Sequence, residues 1–379
     1  MGVCEFLNQI DNELRKEGLT DNNFFTVYFD KDYVPKLEKL YTLISGYAKQ
    51  NDMIYISELT KSIIEIISQY LNGKIWEASK RIDEILNPLL NDPLIYSSFN
   101  ESGCFTGYSV SHDVTEIALY RGRTSKIELE NGEEDMYHIP FSKRELVGNE
   151  RFSILGVPCL YLARSIYTCW NELGKPQDSE FYVSKVTVNN SIQNFNLAIN
   201  LKKVKEIAKE SQYSSSVKNI IKLWILKLAC SCVVKQENRK FKSEYIVPQL
   251  IMCELVNLKP YDIHSITYFT NRAFKTEFRD YFAPISVNVA IIAQQEGESE
   301  YSKHIGKEIQ FTRPVNFSEF KQICNLRPTN KVTSPNVKRE REGNIKYVEL
   351  AGRVMEYQYT EFAQFEGYIE ALAKEAKER

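Results

Sequence analysis

The chain has 379 residues, 43% hydrophobic and 26% charged, enough apolar material for a sizeable core and for two domains. Its 48 lysines and arginines nearly balance 50 acidic residues, so no overall basic field draws it onto nucleic acid and any phosphate site must be local. Eight cysteines lack a CxxC pair and sit mostly in apolar segments, and the CxC of Cys230 and Cys232 has no nearby histidine; reduced thiols, a cytoplasmic setting and no metal site are expected.

The run MGVCEFLNQIDNELRKEG repeats Val3, Phe6, Leu7, Ile10 and Leu14 at helical spacing, without the basic start and apolar run of a secretory leader. Phe6 stands where a myristoylation motif would have Ser or Thr. VPKLEKLYTLISGYAKQ, ISELTKSIIEIISQYLNG and IWEASKRIDEILNPLL follow with the same period, and Gly73 and Pro88 are read as their breaks. Residues 1–104 are therefore expected to be a helical domain, serving packing, a partner or regulation.

Near residue 104 the pattern changes to short strands rich in β-branched and aromatic residues: TEIALYRGR, VPCLYLA, EFYVSKVTV, SITYF and YFAPISVNVAII. Helical patterns lie between them in SSSVKNIIKLWILKLACSCVV and YIVPQLIMCELVNL, so the fold class for 105–327 is α+β. LWILKLACSCVV is broken by Lys227 and too short to span a bilayer, and no membrane role is expected. Residues 328–379 read as a charged linker followed by a C-terminal helix.

Several polar residues stand at the edges of these elements. Glu172 follows a strand on a helix that Ser165 can cap, beside an apolar stripe of Ile166, Cys169, Trp170 and Leu173, which would orient and partly desolvate it. Arg121 ends one strand and Arg151 precedes another; two guanidinium forks so delivered could hold a pyrophosphate, with Arg123, Lys143, Arg144 and Arg164 close in sequence, though spacing alone fits surface cations equally well. Tyr161 alternates with Leu160 and Leu162 and suits either packing or a heteroaromatic ring. His138, before Pro140, reads either as a loop-positioning residue or as a ligand contact.

The run MYHIPFSKRELVGNERFSILGVPCLYLARSIYTCWNEL, Met136 to Leu173, resembles the RES domain family, named for its Arg, Glu and Ser signature residues. LYRGR upstream, and YIVPQLIMCEL with IHSITYFTNR downstream, extend the resemblance over roughly residues 105–325. It implies an ADP-ribosyltransferase-like fold, cleavage of NAD by hydrolysis or by phosphorolysis with inorganic phosphate, and a toxin restrained by an antitoxin. NAD would be substrate, with no further cofactor; self-association is a further expectation.

Carried over residue by residue, Glu172, Arg121 and Thr270 would form the catalytic set. Tyr120, Arg121, Arg151, Tyr161 and His138 would line the dinucleotide site. Thr270 stands where the signature Ser is expected, and Ser265 where the family often has Gly. The chemistry agrees with these residue types: breaking the nicotinamide–ribose bond passes through an oxocarbenium-like state that a fixed carboxylate stabilises. Two alternatives are transfer of ADP-ribose to a macromolecule and an inactive interaction protein. Against transfer, the residue two before Glu172 is Trp170, and Glu296, Glu298 and Glu300 lie outside the matched run.

Overall fold

A computed structural model describes residues 3–16, 27–28, 33–99, 118–129, 133–189, 192–199, 201–210, 215–234, 238–258, 264–272, 285–326, 347–350 and 353–378. The charged segment from 328 to 346 and Cys104 lie outside the described residues. In chain order the first elements are α1 (Val3–Lys16), β1 (Val27–Tyr28), α2 (Tyr33–Gln50), α3 (Ile54–Leu71), α4 (Ile75–Leu90), β2 (Tyr96–Ser98), β3 (Leu119–Thr124), α5 (Glu133–Met136), β4 (Cys159–Ala163) and α6 (Ile166–Glu172). Then come β5 (Phe181–Val188), β6 (Gln193–Asn196), α7 (Leu201–Glu210), α8 (Ser215–Cys230), β7 (Cys232–Val233), α9 (Ile246–Asn257), β8 (His264–Phe269) and β9 (Val287–Ile292). The last are α10 (Lys303–Glu308), β10 (Ile309–Phe311), β11 (Val315–Asn316), α11 (Phe317–Leu326), β12 (Tyr347–Leu350), β13 (Arg353–Glu356) and α12 (Glu361–Glu378).

The protein is α+β, as its sequence pattern predicts. Nine strands form one sheet in the order β10-β5-β3-β4-β9-β8-β6-β2, with β11 also on β5; every neighbouring pair is antiparallel except β6 and β8. β3 meets β4 at a single register pair, Tyr120 with Ala163, whereas β4 and β9 match over five. At that seam Arg121 Nη1 donates to the Tyr161 carbonyl at 2.8 Å, tying the strands where their own ladder lapses.

Both faces of the sheet are covered. On one, Phe195, Ile266, Tyr268, Ala290 and Ile292 share a core with α1–α4, α8 and α9. In α2 the stripe Leu37, Leu40, Tyr41, Ile44 and Ala48 is the buried one, the three-and-four spacing that predicts a helix there. Tyr33 and Tyr41 hydroxyls donate to the Ala229 and Ile225 carbonyls of α8, so the first helices are pinned to that layer by polar as well as apolar contact. Leu119, Val186, Leu160, Leu162 and Val289 point the other way, and a second core joins them with Val183 and with α6, α11 and α12. Each such Leu, Ile or Phe contributes about 1.5–3 kcal/mol on burial. Among the described residues no helix is long and apolar enough to cross a membrane.

One expected break is corrected. Gly73 turns the chain between α3 and α4 with a φ of 79°, but Pro88 sits inside α4, which runs on to Leu90. Leu86 and Leu89 on either side of it are fully buried, and Asn219 Nδ2 donates to the Pro88 carbonyl at 3.3 Å; packing of the last turn outweighs the missing helical N–H.

The glycine of LYRGR has a defined task. A Cβ on Gly122 would lie 2.8 Å from Cys169 Cβ and 3.1 Å from both Leu173 Cδ1 and Phe181 Cε2, so only a residue without one lets α6 seat directly on β3. Gly122→Val is expected to destabilise the fold by about 1–3 kcal/mol through overpacking, and Gly122→Ala by less; denaturant unfolding measures both.

Candidate active site

α6 is a two-turn helix, too short to persist on local propensity, and tertiary contacts hold it. Ser165 caps it as the sequence predicts: Thr168 N–H donates to Ser165 Oγ at 3.1 Å. The Ser165 and Thr168 hydroxyls both donate to the Ile285 carbonyl, at 2.7 and 2.6 Å, which fixes the helix to the segment entering β9. Cys169 Sγ reaches the Tyr120 carbonyl of β3 at 3.4 Å. Just past the helix Gly174 and Lys175 take φ values of 78° and 62°, turning the chain away and leaving Glu172 on the last helical turn.

The Glu172 carboxylate meets two sheet strands there. Its Oε1 accepts from Asn288 Nδ2 at 2.6 Å and from the Thr270 hydroxyl, and its Oε2 lies 3.5 Å from Arg272 Nε. Thr270 directly follows β8, and its own oxygen accepts from Arg272 N–H at 3.0 Å, so its hydroxyl proton is directed to the carboxylate. Asn288, on β9, pairs in register with both Ala163 and Tyr268. One edge of the carboxylate is thus fixed by neutral donors, while the other faces a guanidinium. The Glu172 side chain remains 32% exposed, so a solute can reach it.

Arg151 lies in the same neighbourhood. Its Nη1 donates to the Phe269 carbonyl at 3.0 Å and its guanidinium stacks 5.0 Å from the Tyr268 ring centre. Its Nε is buried and meets no acceptor among the described residues. Burial raises the Tyr268 hydroxyl well above its usual range and pushes Tyr245 up to about 12; Arg151 opposes this in both, and Glu150 and Glu172 reinforce it. Both phenols stay protonated donors flanked by these charges. Tyr161 joins this side, its hydroxyl donating to the Phe152 carbonyl at 3.3 Å and its ionisation further opposed by Tyr268 and Glu150.

The structure therefore brings together Glu172 and Thr270, with Arg151 and Tyr161 beside Tyr268. Arg121 faces a different task, since its Nε and Nη1 donate to the Met136 and Tyr161 carbonyls, and burial lowers its pKa to about 10. Two other cations of that stretch are also directed to structure: Arg123 donates to the Asp135 carbonyl, and Arg144 to the Gly156 carbonyl and Gln295. Tyr120 is buried beneath α12, where its hydroxyl donates to Glu370 at 3.4 Å.

His138 sits in an aromatic cluster with Tyr137, Phe141 and Tyr301. Its Nδ1 is 2.7 Å from the Ile139 carbonyl and its Nε2 accepts from Ser302 N–H at 3.0 Å, an arrangement that needs a neutral ring.

Arg272, Asn288, Tyr245 and Tyr268 are the members that sequence reading did not single out. Arg272 stands in the TNR that follows SITYF, and Asn288 is a buried polar residue in the apolar run VNVAII; a polar side chain at such a position needs a partner, which is the signal that could have marked it.

The chain is 26% identical over 372 residues to a protein of Bacillus subtilis (strain 168) named "Putative toxin YopC", an alignment that covers 96% of this chain and 79% of that protein. No family model matches the chain, and no solved structure matches it.

Burial first, and the nearby Arg121 charge, hold the His138 pKa down at about 4, against 6.5 for a free histidine. Between those values the unfolded chain binds more protons, so this contribution to stability is complete above about pH 6.5 and is lost as pH falls toward 4. Unfolding measured at pH 7 and pH 5 is expected to show a smaller drop for His138→Gln than for the wild type.

Proposed function

We propose that this protein is an NAD-degrading toxin of the RES type, cleaving the bond between nicotinamide and ribose. The observation that carries the reading is the partly exposed Glu172 carboxylate, held on one edge by Thr270 and Asn288 and facing Arg272 on the other, with Arg151 and the Tyr268 ring nearby. The residue order of LYRGR and of the run from Met136 to Leu173 supports the family, and the toxin name of the Bacillus subtilis relative supports the role.

Departure of neutral nicotinamide leaves positive charge on the ribose anomeric carbon. A carboxylate about 4 Å away at an effective dielectric near 20 stabilises a unit charge by about 4 kcal/mol, or roughly a thousandfold in rate. Thr270 and Asn288 hold the carboxylate so that it does not reorient during the reaction. Arg151, whose Nη1 is anchored on the Phe269 carbonyl, would present its guanidinium to the diphosphate. Water or inorganic phosphate then attacks the ribose carbon. A toxin of this kind requires a neutralising partner in its own cell, and an antitoxin is the partner class proposed. Transfer of ADP-ribose to a macromolecule has less support, because Trp170 occupies the position two before Glu172.

Purified protein incubated with NAD labelled in its adenylate half is expected to release ADP-ribose or, with phosphate present, its phosphorylated form, identified by mass. Label retained on macromolecule would favour transfer, and NAD left intact would overturn the enzyme reading. Glu172→Gln is expected to lower kcat by about 10²–10³-fold at unchanged Tm. Arg151→Ala should act on KM instead, raising it about tenfold through lost phosphate contact.

A further inference from the structure

The three backbone amides that open α6 are satisfied from separate places. Thr168 N–H goes to Ser165 Oγ, within the helix's own cap. Ile166 N–H donates to Glu366 Oε1 at 2.9 Å, and the Tyr167 amide is directed to the Tyr357 hydroxyl oxygen. The Tyr357 hydroxyl in turn donates to the same Glu366 oxygen. Glu366 lies on α12 and Tyr357 in the short 3₁₀ turn before it, about 190 residues further along the chain. Phe362 packs edge-on against Tyr167 at 5.4 Å and lies 5.2 Å from Trp170, extending the contact down the helix toward Glu172.

From this arrangement we infer that Glu366 is a positioning residue for Glu172: the C-terminal helix holds the N-terminal end of α6, and thereby sets where the carboxylate at its other end stands. The inference rests on the proposed role of Glu172. A two-turn helix cannot supply its own stability, so its orientation follows its end contacts. A carboxylate at its N-terminus both accepts an otherwise unmatched N–H and complements the positive end of the helix. Tyr357 is buried and its ionisation is strongly disfavoured, by burial first and then by Glu366, so it remains a donor that keeps the carboxylate aimed at the helix. Glu366 meets α6 at its first residue, whereas Thr270 and Asn288 meet Glu172 at its last, so Glu366 acts through the helix.

The test uses the full chain and the variants Glu366→Ala, Glu366→Gln and Tyr357→Phe. Glu366→Ala is expected to lower kcat for NAD cleavage about 10- to 100-fold with KM within twofold, because misplacement of a reacting group acts on the chemical step. Glu366→Gln keeps an oxygen that can accept from Ile166 and should retain kcat within about threefold. Tyr357→Phe, which leaves the carboxylate in place, should fall between them and serves if the alanine variant does not fold. In a Glu172→Gln background, Glu366→Ala is expected to add no further loss. Hydrogen exchange of the amides from 165 to 169 should quicken in the alanine variant and not in the glutamine variant. Unchanged kcat and unchanged exchange in Glu366→Ala would overturn the inference, as would equal loss in the alanine and glutamine variants with KM rising in step. Should the wild-type protein leave NAD intact, the proposed function fails on its own, and the exchange measurement alone then decides whether Glu366 holds α6.

Discussion

The close seating of α6 on β3 is the contact on which the rest of the site depends. Gly122 permits it, because any side chain there would meet Cys169 Cβ at van der Waals overlap. With the helix in place, Glu172 reaches past the edge of its own strand neighbours to two others, accepting from Asn288 of β9 and from Thr270 after β8. Three elements distant in sequence therefore converge on one carboxylate. Its geometry is over-determined, as the proposed stabilisation of a developing charge requires.

The surrounding cations divide by task. Arg121 ties β3 to β4 where the ladder has a single register pair, donating to the Tyr161 carbonyl across the seam. Arg151 donates from Nη1 to the Phe269 carbonyl and stacks on the Tyr268 ring, with a buried Nε that meets no acceptor among the described residues. In a protein of nearly balanced charge, an anion-binding group must come from such a local arrangement. Arg272, against the outer carboxylate oxygen, offsets the negative charge that the site concentrates.

The two packed cores serve the same end. The first four helices share one core with α8, α9 and β8, and the pairing of β1 with β7 sets a segment from between α1 and α2 beside Cys232, whose carbonyl accepts from Asn271 between Thr270 and Arg272. In the second core α12 packs Phe362, Phe365 and Ile369 and brings Glu366 to the first amide of α6. Segments at both ends of the described chain thus bear on residues adjoining the same carboxylate.

Reading the sequence alone was enough for the α+β class, the run of N-terminal helices, the Ser165 cap and the helix that carries Glu172, because each depends on local spacing and on polar groups within a few residues of one another. Local pattern also made Arg151 visible as a candidate, and the resemblance to the RES family added Thr270. That Arg272 faces Glu172, while Arg121 holds the Met136 and Tyr161 carbonyls and Arg151 that of Phe269, was decided only by the tertiary structure, which brings together strands distant in sequence. The contributions of Asn288, Tyr268 and Glu366 were likewise illegible beforehand. Asn288 stands 116 residues from Glu172 and Glu366 stands 200 from Ile166, and no spacing rule reaches across a folded sheet.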